Sequence, residues 1–234
     1  REGKRYRQRF EQGVACGTPE VVESSGRTGT TITFLPDPTI FSEPWLNAGT
    51  IAARLREIAC LLPSLTLSFA DHRKHEFHEP RGLRVFLERT RHPGERVLAI
   101  LSVDQLVDEI AVEATMEWRD NPWSSISSYA NIQSTTEGGA HVRGLLSGLA
   151  LGLRDVEPSR AGKKPLEQLR RIVARGLCAV VCVRLRDPTF ESPTRSRLET
   201  PAVATAVSKV VRHAFGLELR DNLDLRGRCV RLLD

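Results

Sequence analysis

The sequence predicts an α+β or α/β domain, a mixed sheet with helices on one face, over most of its 234 residues. Three observations predict it. Leu177 to Val183 (LCAVVCV) is a near-continuous apolar run, which suits a strand buried on both faces. Glu109 to Trp118 alternates cleanly, with Ile110, Val112, Ala114 and Met116 set against Ala111, Glu113, Thr115 and Glu117. Several further segments repeat apolar residues at three- and four-residue steps, the period of a helix with one face buried.

Taken in order, Tyr6 to Phe10 alternates as a strand does, and Glu11 to Arg27 is polar, contains three glycines and reads as a loop. Thr30 to Leu35 (TTITFL) is β-branched and reads as a strand ended by Pro36-Asp37-Pro38. A short turn, Thr39 to Phe41, leads to Pro44. Asn47 is placed to cap a helix over Ala48 to Leu61, with Ile51, Leu55, Ile58, Ala59 and Leu62 on one face and Pro63 closing it. Leu65 to Phe69 reads as a strand, Asp71 to His78 as a polar hairpin region, and Leu83 to Glu88 as a short helix. Arg91 to Arg96 is a turn before a strand at Val97 to Leu101. Asp120-Asn121-Pro122 is expected to return Glu109–Trp118 to a partner strand, Ser125 to Ala130, as a hairpin.

Glu137-Gly138-Gly139 precedes a helix from Ala140 to Leu153, and a basic loop, Pro158 to Pro165, leads to a second helix, Leu166 to Ala174. After the apolar strand, Asp187-Pro188 stops the ladder, because proline has no N–H to give. Thr200-Pro201 then opens a helix to Phe215, threonine as N-cap and proline in the first turn, with Gly216 as its expected stop. Arg220 to Asp234 is charged, and reads as a further helix or a tail.

Composition bounds the class. Hydrophobic residues make up 40% of the chain, enough for a real core. The net charge is +5, and only five of the 34 basic residues are lysine. Arginine is the better fork for phosphate oxygens, and the balance is compatible with nucleic acid. Five cysteines with no CxxC pair read as small core residues in a reducing compartment, Cys178 and Cys182 sharing one strand face. No signal peptide and no run able to span a bilayer is present, so a cytoplasmic location is expected. The chain opens on Arg1 inside a strand-like segment, which suggests a piece of a longer protein whose preceding part pairs with the first strands.

Candidate chemistry concentrates in the loop Thr189 to Arg197. Hydroxyls at Ser192, Thr194 and Ser196 and guanidinium groups at Arg195 and Arg197 lie between a rigid strand and a helix start. That arrangement suits an anion such as phosphate, although a solvated connector has the same spacing. The basic set Arg143, Arg154, Arg160, Lys163, Lys164, Arg170 and Arg171 fits a DNA passage and a wet helix face equally well. His72, His75 and His78 alternate across a strand, so they do not converge on a metal, and no metal site is assigned. His141 reads as a helix-start side chain tied to backbone, and Trp118, Trp123 and Tyr129 as hairpin core.

Several motifs in order carry a family likeness: GRTGTTITFLPDPTIF at 26–41, RLREIACLLPSL at 54–65, EIAVEATMEW at 109–118, SSISSYAN at 124–131, TTEGGAHVRGL at 135–145 and ARGLCAVVCVRLRDPTFESPTRSRL at 174–198. Together they resemble DNA gyrase B and its topoisomerase IV counterpart, the ATPase subunits of type IIA topoisomerases, across residues 2 to 219. The resemblance implies that residues 1–46 are the C-terminal end of a GHKL ATPase domain, reduced here to a strand remnant. It makes residues 47–220 a transducer domain of the ribosomal protein S5 domain 2-like fold, with a left-handed β-α-β crossover, and 221–234 a linker or tail.

The resemblance also places two sites. Thr28-Gly29-Thr30 matches the family's Thr-Gly-Thr, which puts Gly29 and Thr30 near adenine and in the aminocoumarin pocket. Pro193-Thr194-Arg195 matches its Gln-Thr-Lys loop, which puts Thr194 and Arg195 near the γ-phosphate of ATP. Proline for glutamine removes amide donors, and arginine for lysine keeps the charge in a different group. Ala174-Arg175-Gly176-Leu177 has arginine where the family has an acidic residue. The family's catalytic glutamate, its magnesium-holding asparagine, its adenine aspartate and its glycine-rich lid match nothing here. No catalytic residue is therefore assigned, and ATP and Mg belong to the full-length protein. The implied partners are DNA, a gyrase-A-like protein and a second copy through the N-terminal gate, with no membrane. The alternative is a degenerate paralogue acting as a binding or assembly module without ATP turnover.

Overall fold

The computed structural model describes residues 2–42 and 46–233, so Pro44 lies outside the described residues. The chain divides into two compact units, residues 1–51 and 52–234.

In the first unit, β1 (Lys4–Arg7) pairs antiparallel with β4 (Glu20–Ser24), and β2 (Phe10–Glu11) with β3 (Val14–Ala15). Part of the expected Glu11–Arg27 loop is therefore strand. The expected Thr30–Leu35 strand is absent. β-Branched residues favour an extended backbone, but a strand exists only through a ladder partner, and no described residue pairs with this segment. Its side chains are left in the open, Ile32 80% and Leu35 87% exposed.

Helix α1 (Ala48–Leu61) begins where Asn47 Oδ1 accepts from the Thr50 N–H at 3.0 Å, as its spacing predicts. The second unit continues with the hairpin β5 (Leu67–Ala70) and β6 (Lys74–Phe77), then α2 (Leu83–Glu88), β7 (Val97–Val107), β8 (Ile110–Arg119), β9 (Ser125–Ala130) and β10 (Gln133–Ser134). It closes with α3 (Ala140–Val156), α4 (Pro158–Ala161), α5 (Leu166–Ala174), β11 (Leu177–Arg184), α6 (Pro201–Asp221) and α7 (Leu223–Arg231). No helix among the described residues is long and apolar enough to cross a membrane.

The main sheet has the order β10-β9-β11-β8-β7. β11 is central, antiparallel to β8 and parallel to β9. The expected hairpin between β8 and β9 is therefore wrong, since β11 lies between them. The hairpin partner of β8 is β7, through the two-residue turn Asp108-Glu109 with φ of 48° and 65°. Left-handed turns of this kind match the strand twist, but they are usually marked by Asn-Gly or Asp-Gly, and this one carries no glycine.

Helices cover both faces, not one. Leu177, Ala179, Val181 and Val183 of β11 face α3, α5, α6 and α7 in the larger core. Cys178, Val180 and Cys182 face the opposite way, against Leu61 of α1 and Leu83 and Leu87 of α2. A strand apolar at every position needs cover on both sides. The second layer is also latched by charge. Buried Glu117 bonds Arg91 and Arg119, and Arg119 in turn donates to the Leu87 and Thr90 carbonyls at the end of α2. Burial works against the Glu117 charge, yet the bonds from Arg91 and Arg119 hold its pKa below the usual carboxylate value. Arg184 likewise joins Glu113 (2.6 Å) to the Leu61 carbonyl ending α1 (2.7 Å).

α3 and α6 pack closely along Gly144, Gly148 and Gly152, where added Cβ atoms would lie 2.6 to 3.0 Å from backbone oxygens of Ala204, Ser208 and Arg212. α6 does not stop at Gly216. Leu217 to Arg220 are good helix formers, Leu219 is buried, and the helix ends only at Asp221. The expected tail holds α7, capped by Asn222 and packed into the core through Leu225 and Cys229. Of the three aromatics expected in a hairpin core, Trp118 is buried, stacked on Phe215 and donating to the Val173 carbonyl, and Tyr129 is buried in the second layer, but Trp123 is 79% exposed.

Candidate functional site

The segment after β11 is a closed finger. At its root, Asn131 N–H donates to Val183 O, and Asn131 Oδ1 accepts from Leu185 N–H, which fixes the strand exit. Phe190 and Leu198 form an antiparallel bridge, and the Glu191 N–H donates to the Arg197 carbonyl at 3.1 Å. Thr200 sits at the N-cap of α6, but its hydroxyl accepts from the Thr189 N–H (2.9 Å) and closes the finger's base. At the tip, Arg195 N–H donates to Ser192 O across Pro193 and Thr194 (3.0 Å), and the Ser192 and Thr194 hydroxyls meet at 2.6 Å.

The start of α3 clamps this finger. Glu137 N–H donates to Ser196 O, Leu198 N–H to Gly138 O, and Ala140 N–H to Leu198 O at 2.7 Å. Gly139 takes φ of 129° directly against Leu198, where a Cβ would stand 2.1 Å from the Leu198 carbonyl oxygen. The Glu-Gly-Gly turn is thus a docking surface for the finger, a role that its place before a helix did not reveal.

The two tip arginines differ. Arg197 is held by Glu191 (2.8 Å) and Glu137 (3.4 Å). Arg195 is exposed, takes a left-handed φ of 57°, and sets its guanidinium 5.8 Å from the Phe190 ring centroid. No carboxylate among the described residues pairs with it. Gly29 and Thr30, the other expected nucleotide contacts, lie in an exposed irregular stretch of the first unit.

Beneath the clamp lies His141, fully buried. Its Nε2 meets the Thr135 hydroxyl at 3.0 Å, a side-chain partner where backbone was expected, and its Nδ1 has no partner among the described residues. Burial, with the nearby Arg143 charge, lowers its pKa to about 4. The unfolded chain therefore takes up a proton near pH 6.5 that the folded chain refuses until about pH 4. The associated stability is complete above pH 6.5 and lost as pH falls through this window, by about 3 kcal/mol. Urea titrations at pH 7 and pH 4.5 should show a smaller acid loss for His141→Asn than for the wild type. Equal losses would contradict the burial of a neutral imidazole.

Of the basic set, Arg143 and Arg170 are brought together through Ser147, whose hydroxyl donates to Arg143 O and accepts from Arg170. Their charges are partly answered by Glu199 and Glu167, and Glu167 also pairs with Arg171. Lys163 and Lys164 follow α4, where Lys164 O accepts from Arg154. A groove of about 650 Å³ runs between α3 and α6, lined by Lys209, Arg212, His213 and Arg220 on one wall. Arg212 forms two bonds to Asp155 (2.6 and 2.8 Å), which hold that carboxyl below its usual pKa. Helical periodicity applied to the charged residues of α6 would have found this stripe.

Residues 82–230, more than half of the chain, match the family model for DNA gyrase B. The chain belongs to the DNA gyrase B family. Its likeness to the gyrase B protein of Thermotoga maritima is 31% identity over 245 residues, covering all of this chain and 38% of that protein. In structure it resembles the 43K ATPase domain of Thermus thermophilus gyrase B, solved with an aminocoumarin, with a TM-score of 0.77 and 31% identity over 99% of this chain and 66% of that one. The topoisomerase IV ATP-binding domain of Francisella tularensis shares the fold, with a TM-score of 0.81 at 23% identity over the whole chain and 65% of that one. The chain spans between 28 and 49% of the length of the gyrase B relatives it matches.

Proposed function

We propose that this chain is the transducer region of a gyrase-B-like type IIA topoisomerase, coupling ATP binding and hydrolysis to DNA clamp closure and strand passage. On this reading residues 1–46 end a GHKL ATPase domain and residues 47–220 form an S5 domain 2-like transducer. The finger is then the family's nucleotide-contacting loop, and the glycine clamp is what holds it. The observation that carries the proposal is Arg195, exposed at the end of a clamped finger with no carboxylate partner among the described residues. A terminal phosphate of ATP suits such a group, and Gly29 and Thr30 would serve the adenine end. Rotation of the transducer against the ATPase domain would carry the signal. Arg143, Lys163, Lys164, Arg170 and Arg171 would face transported duplex, with a gyrase-A-like protein and a second copy as partners. Mg would be held with ATP by parts of the full-length protein that match nothing here.

The test is ATP-dependent supercoiling or relaxation by the full-length protein with its gyrase-A-like partner. Arg195→Ala removes a charge-assisted contact of about 1.5–3 kcal/mol, so the rate should fall roughly 10- to 100-fold with unchanged thermal stability. An unaltered rate refutes the role. The second reading, a binding module without ATP turnover, is favoured by Pro193, which has no side-chain donor. Absence of ATP hydrolysis in the full-length protein would decide for it.

A further inference from the structure

We infer that Phe190 is a positioning residue that holds the Arg195 guanidinium in place as a ready-made ligand for a phosphate group, an inference that rests on reading the finger tip as a nucleotide-phosphate contact. Four observations converge on it. First, the tip is closed by its own bonds. Ser192 O accepts the Arg195 N–H, and Pro193 in the first central position fixes one backbone torsion of that turn. Second, Arg195 is bent into the left-handed region, which an arginine enters only against a steric cost. From that bend the guanidinium lies over Phe190, five residues earlier in the finger.

Third, the ring beneath it is itself anchored. Phe190 is half-buried and bridged to Leu198, and Leu198 is bonded to Gly138 and Ala140 at the start of α3. The guanidinium therefore lies over a ring tied to the rigid body of the unit, 5.8 Å from its centroid. A planar guanidinium over an aromatic face keeps its N–H edge free, whereas a salt bridge would occupy that edge. Fourth, the nearby carboxylates are already engaged. Glu191 and Glu137 both form ion pairs with Arg197, which leaves the Arg195 edge open.

The departures Pro193 and Arg195 then have one physical sense. A flexible lysine beside a glutamine must be ordered when its ligand binds. An arginine held over a ring, behind a proline, is ordered beforehand, and its fork can meet two phosphate oxygens at once. The ordering falls on folding rather than on binding.

The test uses the 234-residue chain, with NMR relaxation at the Arg195 Nε–H and inorganic tripolyphosphate as probe. In the wild type and in Phe190→Tyr the Arg195 order parameter should be high, near about 0.8. In Phe190→Leu, which keeps the bulk and removes the ring, it should fall below about 0.6 with thermal stability unchanged. Tripolyphosphate should shift the Arg195 resonance saturably, roughly two- to five-fold more weakly in Phe190→Leu, with no saturable binding left in Arg195→Gln. An equally rigid Arg195 in Phe190→Leu overturns the positioning role. An ordered wild-type Arg195 that ignores tripolyphosphate overturns the phosphate reading and leaves Phe190 as a structural support.

Discussion

Gly144→Val is expected to cost about 4 kcal/mol of unfolding free energy, the severe end of single substitutions. At this position a Cβ alone would stand 2.6 Å from the Ala204 carbonyl oxygen and 2.9 Å from Val207 Cβ. The first contact is backbone, so no rotamer change relieves it, and the two helices must part. Parting them opens the larger core, because Leu145 and Leu149 of α3 and Val207, Val210 and Val211 of α6 are all buried there. Gly216→Ala is the matched control of opposite sign. It lies inside α6, its added Cβ meets nothing within 4 Å, and the helix should gain about 0.5–1 kcal/mol. Urea denaturation at pH 7 measures both. A Gly144→Val midpoint equal to that of the wild type would mean that the helices do not approach so closely.

Gly139→Ala is expected to release the finger while leaving the sheet intact. The residue combines φ of 129°, which an L side chain resists, with a 2.1 Å approach to Leu198 O. The three clamping amides, Glu137, Leu198 and Ala140, should lose hydrogen-exchange protection, and stability should drop by about 2–4 kcal/mol. Amides of the β8–β11 ladder should keep theirs. Gly138→Asn should be much milder, since its φ of 69° suits asparagine and its Cβ would meet only Val142 side-chain atoms, nearest at 3.2 Å. Full protection at all three clamping amides in Gly139→Ala would show that the finger is held some other way. In the full-length protein the same variant should uncouple nucleotide from clamp closure if the proposed function is right.

Much of the candidate site was legible as a segment and little of it as geometry. The run from Thr189 to Arg197 announces a loop of hydroxyls and guanidiniums, and the motif at 193–195 announces where a family contact aligns. The text of the sequence does not say which arginine is free. Arg195 and Arg197 are chemically identical and two residues apart, and what separates their roles is that Glu191, within the finger, and Glu137, sixty positions away in the chain, both turn to Arg197. The glycines of α3, Gly144, Gly148 and Gly152, recur every four residues, but that spacing acquires meaning only when α6 is laid against it.

The sequence by itself determined the local elements. Asn47 set the start of α1, apolar residues on one face marked α5, and unbroken apolarity marked β11 as a strand buried on both faces. The cap and the helical faces depend on hydrogen bonds and spacing within a few residues, and the strand's apolar run records in its own letters that both of its faces are covered. Tertiary structure alone decided that β11 separates β8 from β9, that Thr30–Leu35 forms no ladder among the described residues, and that α1 and α2 cover the second face of the sheet. Those outcomes depend on which distant surface comes to lie alongside, and a strand or a charged tip carries the same local pattern whichever partner it meets.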